Sequence, residues 1–318
     1  MRCLYKTVGN CDIYTDIYVP ISNPSSASTK YPVVVGVHGG AFCLGSSSMV
    51  SEDQIEDCLS RGWIAVIPEH RLCPQVDVHE GPISDVRDLL VWIQDGELEK
   101  ELSGTEETKN HAVDAEKIVA FGTSSGGTVA LALGFGVKRP VAAILDLYGA
   151  TNFADPFWTS PISTVKAPGV STDFINQVYN EDPVPTRGGV SLEGQAKGPD
   201  AMTSDPRPAF SFTHIANGTL MDVVFPSKEW KKIDAVENVR EGFPPTCIVH
   251  GTADQMVPGF LSQALFKKLQ SAGVYSQFID VPGEGHTFVG KMQKGSKTWD
   301  LQRLGFDFLE RELEKRSV

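Results

Sequence analysis

A chain of 318 residues, 41% of them hydrophobic, is long enough to bury one large core and carry an additional segment. Its 40 acidic residues against 28 basic ones leave a net charge of −12, which argues against nucleic acid or an anionic membrane surface as a partner. No apolar stretch approaches bilayer length, and Met1-Arg2-Cys3-Leu4-Tyr5-Lys6 contains no apolar signal core. The expectation is a cytoplasmic protein with no membrane span, whose six cysteines are reduced thiols. Those cysteines form no Cys-x-x-Cys pair and no cluster with histidine, so no metal is expected.

Residues 3–8 and 11–19 alternate apolar and polar side chains around Gly9-Asn10, the pattern of a β-hairpin. Residues 23–29 read as a flexible loop. The β-branched run from Tyr31 to Val37 is a buried strand, and it ends in His38-Gly39-Gly40-Ala41. Two glycines after a strand leave backbone N–H groups free and let the main chain approach a ligand. Acyl transfer needs such donors, because its tetrahedral intermediate places negative charge on one oxygen. The N–H groups of Gly40 and Ala41 are therefore candidate oxyanion donors, with Gly39 shaping the turn and His38 bracing it. The plainer alternative is a tight turn that closes a strand.

A helix is expected from about Met49 to Arg61, then a strand over Trp63–Ile67 and a helix capped by Ser84 or Asp85 running through Trp92 and Ile93. The acidic stretch Asp95–Glu101 reads as a solvated helix end or loop. Lys117–Phe121 has strand character and Thr128–Leu133 helix character; between them lies Gly122-Thr123-Ser124-Ser125-Gly126. Strand, Gly-x-Ser-x-Gly, helix is the setting of a nucleophile elbow. Gly122 and Gly126 lack a Cβ, so the chain can turn sharply and hold Ser124 strained and exposed. The N–H of Ser125 is a third candidate oxyanion donor. An ordinary Ser/Gly loop is the competing reading, weakened by the motifs that follow.

Residues 141–147 form the next strand. From Ala150 to Gly242 the alternation stops, and nine of the 20 prolines fall there. Only 171–179 and 226–233 look helical in this stretch. Its aromatics, among them Phe157, Trp158, Phe210 and Phe225, either line an apolar pocket or pack the segment onto the body, and packing is the default for any one of them. Alternation resumes with the strand Pro245–His250, followed by Asp254 in a turn, and with Tyr275–Val281, followed by a glycine-rich loop that holds His286. A carboxylate after a strand is well placed to orient a histidine through Nδ1. Asp254 also fits an ordinary turn aspartate. Glu284, a rival acid, lies in the histidine's own loop, and His250, a rival base, lies inside a strand. The order Ser124, Asp254, His286 is that of a triad on this type of sheet. Helices over 259–272 and 297–315 complete the chain.

Three segments carry a family resemblance. His38-Gly39-Gly40-Ala41 resembles the His-Gly-Gly-Gly segment of hormone-sensitive-lipase-like α/β-hydrolases. His70-Arg71-Leu72-Cys73-Pro74-Gln75 is similar to their Tyr-Arg-Leu-Ala-Pro-Glu block, and Gly122–Gly127 to their Gly-Asp-Ser-Ala-Gly-Gly elbow. The likeness spans about 31–150 and 244–312. It implies an α/β fold with an eight-stranded mostly parallel sheet, helices on both faces, and ester hydrolysis without a cofactor. Ala41 departs from the third glycine and Thr123 from the usual Asp, and the first strands begin too early for an N-terminal cap. The loop around Asp254 looks more like those of peptidase-like or feruloyl-esterase-like relatives, and the whole is similar to fungal hydrolases of small-molecule biosynthesis.

The resulting expectation is a catalytic core over 1–150 and 243–318 with a cap or lid inserted over 151–242. Its function would be serine hydrolysis of small to medium apolar carboxylic esters through Ser124, His286 and Asp254. Two alternatives remain. A biosynthetic enzyme would use the same site to release or cyclise a thioester, or to rearrange a small natural product. A binding protein on a hydrolase scaffold is the other, and an apparently complete triad counts against it.

Overall fold

The computed structural model describes residues 1–21, 30–188, 201–288 and 292–316. The expected loop at 23–29 lies outside the described residues. The elements in chain order are β1 (Arg2–Val8), β2 (Cys11–Tyr18), β3 (Lys30–Val37), α1 (Glu52–Ser60), β4 (Ile64–Pro68), α2 (Ser84–Gln94), α3 (Glu97–Ser103), β5 (Ala112–Thr123), α4 (Ser125–Leu131) and β6 (Ile144–Leu147). Five helices come next: α5 (Thr172–Ile175), α6 (Ala201–Ser204), α7 (Pro206–Asn217), α8 (Leu220–Val224) and α9 (Ala235–Asn238). The chain ends with β7 (Thr246–Gly251), α10 (Gly259–Ser271), β8 (Ser276–Val281) and α11 (Lys297–Lys315).

One eight-stranded sheet in the order β1-β2-β4-β3-β5-β6-β7-β8 runs through the molecule. β2 pairs antiparallel with both β1 and β4, and every remaining pair is parallel. Successive side chains of a strand face opposite ways. Val33, Val35 and Val37 accordingly pack with Val86, Leu89 and Ile93 of α2, Val129 of α4 and Leu265 of α10. Val34, Phe121 and Leu145 pack on the other face with Ile55 and Cys58 of α1 and Phe306, Phe308 and Leu309 of α11. Both faces are covered, which is why the central strands read as unbroken apolar runs. Parallel strands send all their carboxyl ends to one edge of the sheet, where ligands of such folds bind. The turns after β3, β5, β7 and β8 meet there.

Three expectations need correction. Neither Ser84 nor Asp85 caps α2 from outside: a π-type turn over His79–Ile83 runs straight into the helix, and Ser84 already has helical angles. Asp85, fully buried, accepts hydrogen bonds from the Arg71 N–H at 2.8 Å and its guanidinium at 2.7 Å, and from Lys6 Nζ at 2.7 Å. A buried carboxylate ringed by charged donors is worth more than a cap at an uninterrupted helix entry. A second correction is α7, 12 residues in a stretch where the sequence pattern predicts no helix. Its signals are present in the sequence: Asp205 caps the Arg207 N–H, Pro206 sits in the first turn, and Gly218 ends the helix in the left-handed region. The prolines that enriched this stretch masked them. The expected helix at 226–233 is only a short 3-10 turn over Trp230–Lys232. Among the described residues no strand forms between β6 and β7, and no helix is long and apolar enough to cross a membrane.

Phe306 of α11 is fully buried, with its ring 5.1 Å from that of Phe121 in β5 in an edge-to-face arrangement. Phe306→Ala should cost about 3–5 kcal/mol by leaving a cavity under the sheet. Urea unfolding monitored by circular dichroism tests this; a loss under 1 kcal/mol would mean that the layer beneath the sheet is not close-packed.

Candidate active site

β5 delivers Ser124 into a sharp turn with φ 52° and ψ −123°, outside the range that residues with a Cβ prefer. The two glycines allow this strained serine in the way the sequence suggests, by having no Cβ. The positive φ belongs to Ser124 itself, while the glycines permit close approach. A Cβ on Gly122 would lie 2.1 Å from the Gly126 carbonyl oxygen, and one on Gly126 would lie 2.3 Å from the Val37 carbonyl oxygen. The elbow is therefore pressed against the end of β3, where His38-Gly39-Gly40-Ala41 begins.

Ser124 Oγ lies 2.9 Å from His286 Nε2, and His286 Nδ1 lies 2.7 Å from Asp254 Oδ2. The other carboxylate oxygen, Oδ1, accepts from the N–H groups of Met256 and Val257, each at 2.9 Å. Burial pushes the Asp254 carboxyl up, but hydrogen bonds from His250 and His286 outweigh it and hold the group well below the usual carboxylate range. Asp254 is thus an anion aimed at the imidazole, and an unbroken run of contacts joins it through His286 to the serine hydroxyl.

The rival residues fall elsewhere. His250 is buried, with Nδ1 2.9 Å from Ser262 Oγ and Nε2 2.8 Å from the Val257 carbonyl, and its Nε2 also lies 3.3 Å from Asp254 Oδ2. It braces the carboxylate from behind, a contact that its place inside β7 concealed. Glu284 accepts a hydrogen bond from Thr298 Oγ1 at 2.8 Å. His38 stacks on His70 with ring centroids 4.5 Å apart, behind the glycine turn. Burial lowers the pKa of both, His70 to about 3, so the pair is neutral.

The turn itself runs through three consecutive positive φ values, 122° at Gly40, 54° at Ala41 and 64° at Phe42. The Gly40 carbonyl accepts from the N–H groups of Cys43 and Leu44, and the Phe42 N–H donates to Ser125 Oγ at 3.2 Å. The N–H groups of Gly40, Ala41 and Ser125 find no acceptor among the described residues. Next to them opens a cleft lined by Ser124, His286, Ala41, Phe42, Met256 and Val257. Phe157, Trp158, Ile162, Ile215, Leu220 and Met221 supply its far wall. Of the aromatics between 150 and 242, only Phe157 and Trp158 reach it, whereas Phe153, Phe210 and Phe225 are buried in the core.

Beneath the elbow sits a residue that the sequence did not single out. Asp146 of β6 is fully buried and pressed against Gly127 and Gly149. Neither of its oxygens has a partner in hydrogen-bonding geometry, although the Gly149 N–H and His250 lie near enough to offset a little of the burial cost. Burial raises its pKa from 3.8 to about 7.

The fold and the site define a class, that of the α/β-hydrolases, and comparison with known proteins places the chain within it. Residues 15–183 match the BD-FAE family, to which the chain belongs, and residues 211–316 match the prolyl oligopeptidase family. Among solved structures the chain is similar to Thermogutta terrifontis esterase 2 (18% identity, TM-score 0.63, 98% of this chain and 94% of that one). A Staphylococcus aureus protein of unknown function has a TM-score of 0.70 at 17% identity, over 98% of this chain and 99% of that one. In sequence it is 30% identical, over 98% of its length, to a part of non-reducing polyketide synthase ascC of Acremonium egyptiacum. It is 29% identical, over 96%, to a part of non-reducing polyketide synthase Preu6 of Preussia isomera. The chain spans 15% and 14% of the lengths of these two relatives.

Between pH 3.8 and about 7 the folded state keeps a proton on Asp146 that the unfolded chain releases, so this group makes stability fall as pH rises across that window and level off above it. Asp146→Asn removes the titration. Melting curves of the two proteins from pH 4 to 8 should drift in the variant's favour by about 2–4 kcal/mol; parallel profiles would show that the carboxyl ionises normally.

Proposed function

We propose that the protein is a serine esterase acting on small to medium apolar carboxylic esters. The single observation that carries this reading is the run of contacts from Ser124 Oγ to His286 Nε2 (2.9 Å) and from His286 Nδ1 to Asp254 Oδ2 (2.7 Å), at the mouth of an apolar cleft. His286 accepts the proton of Ser124 as the oxygen attacks the ester carbonyl, and the Asp254 carboxylate stabilises the imidazolium. The N–H groups of Gly40, Ala41 and Ser125 hold the oxyanion, each worth roughly 3–4 kcal/mol of barrier. His286 returns the proton to the leaving alcohol, and a water that it deprotonates then releases the acid from the acyl-enzyme. Residues 151–242 serve as the cap over 1–150 and 243–318, which form the catalytic core. The cap contributes Trp158, Ile162, Ile215 and Met221 to the wall that holds the acyl group. A small-molecule ester or thioester is the partner this reading assigns.

A second reading has its own support. The relatives whose segments align with almost the whole chain are polyketide synthases, which favours thioester release or cyclisation at the same serine. Water and an internal hydroxyl compete for one acyl-enzyme, so the chemistry up to that point is shared.

A fluorophosphonate probe should label the wild type at Ser124 and leave Ser124→Ala unlabelled. Turnover of nitrophenyl esters should fall about 10⁴-fold or more in Ser124→Ala and about 10⁴-fold in Asp254→Asn. Rates along an acyl series should peak at short to medium chains. Labelling with negligible ester turnover, but release of acyl thioesters, favours the second reading; absence of labelling removes both.

A further inference from the structure

Arg207, in the first turn of α7, is 2% exposed although it carries a full charge. Its Nη1 donates to the carbonyl oxygens of Cys43 at 2.8 Å and Cys73 at 2.6 Å. Its Nη2 donates to Gln75 Oε1 at 2.9 Å and to Glu181 Oε2, and its Nε donates to the same Glu181 oxygen at 2.9 Å. Glu181 is the one carboxylate in the group and is itself partly exposed. A buried cation that gives two donors to one carboxylate and the others to three neutral carbonyl oxygens is a poor device for stability, since desolvation offsets much of what even an ion pair returns. The arrangement makes more sense as a device for geometry.

Cys43 belongs to the turn that starts at Gly40. Ala41 and Phe42 adopt left-handed angles, a strain of about 1–3 kcal/mol each that persists only where the surroundings over-determine it. The turn's carbonyls are pinned one by one. Gly40 accepts from Cys43 and Leu44, Phe42 accepts from the Cys73 N–H at 2.9 Å, and Cys43 accepts from Arg207. By holding the carbonyl of Cys73 as well, the guanidinium ties the turn to the segment that supports it. Five donors in a rigid plane match this set of acceptors; a lysine ammonium on a flexible stem does not. At its other end the same helix places Ile215 in the cleft.

We propose that Arg207 is a positioning residue for the oxyanion turn: from the inserted helix it fixes the peptide planes of Gly40–Cys43, so that the site is competent only with that helix docked. The inference rests on the esterase reading above and adds to it a dependence of transition-state binding on a residue that touches no reacting atom.

The test compares wild type, Arg207→Lys, Arg207→Ala and Glu181→Gln on one nitrophenyl ester, together with affinity for a trifluoromethyl ketone, which forms a tetrahedral adduct, and circular dichroism melting. Arg207→Lys should lower kcat about 30- to 100-fold with KM within about threefold, and weaken the ketone in parallel with kcat. Arg207→Ala should lose at least as much, and Glu181→Gln should stay within about twofold of wild type on both measures. A fall in kcat that merely tracks the folded fraction, a rise in KM alone, or unchanged ketone affinity overturns the proposal. A wild type that neither turns over esters nor labels at Ser124 sinks the esterase reading itself, and this inference with it; an active wild type with unimpaired Arg207 variants sinks the inference alone.

Discussion

Ser124 stands in a backbone conformation that a residue with a Cβ adopts only at a cost of about 1–3 kcal/mol, and the rest of the site is arranged around that turn. The strain is sustained by contact. β5 and α4 meet at Gly122 and Gly126 with no room for a methyl group, and Gly126 in turn touches the carbonyl oxygens of Val37 and His38 at the end of β3. The elbow and the glycine turn are therefore not two features placed side by side. Each occupies the space that would let the other relax, and the sheet register Val37↔Gly122 brings them together.

Electrostatics at the edge of the sheet follows from how many donors each buried carboxylate receives. Asp254 has two backbone N–H groups and two imidazoles, and it remains an anion despite burial. Asp85 has the Arg71 guanidinium and Lys6. Asp146, a few residues away from the elbow on the neighbouring strand, has no partner in hydrogen-bonding geometry, and burial acts on it almost unopposed. A carboxyl with so little support directly beneath the proposed nucleophile stores free energy at the place where the backbone is already strained.

Residues between β6 and β7 supply much of the lining of the cleft. The core contributes the polar edge: serine, histidine and the turn amides. Apolar surface arrives from α7, α8 and the 3-10 turn carrying Phe157 and Trp158. The walls of the cleft are mostly hydrophobic, with few polar groups among them. Arg207, in the same helix as Ile215, donates a hydrogen bond to the Cys43 carbonyl beside the glycine turn.

Much of this was legible in local patterns. Alternation around Gly9-Asn10, unbroken β-branched runs and apolar periodicity at 259–272 and 297–315 each report on interactions within a few residues, and they placed the strands and the main helices of the core. Gly-x-Ser-x-Gly between a strand and a helix, and Asp254 and His286 in turns after strands, identified which side chains the sheet edge would gather. What only the tertiary structure decided were contacts between segments far apart in the chain. Asp85 bonds to Arg71 instead of capping a helix, His250 reaches Asp254 from within a strand, and Arg207 reaches Cys43 across more than 160 positions. No periodicity encodes such pairs, because the free energy of a buried charge depends on which donors surround it, and those donors are brought together only when the whole sheet closes.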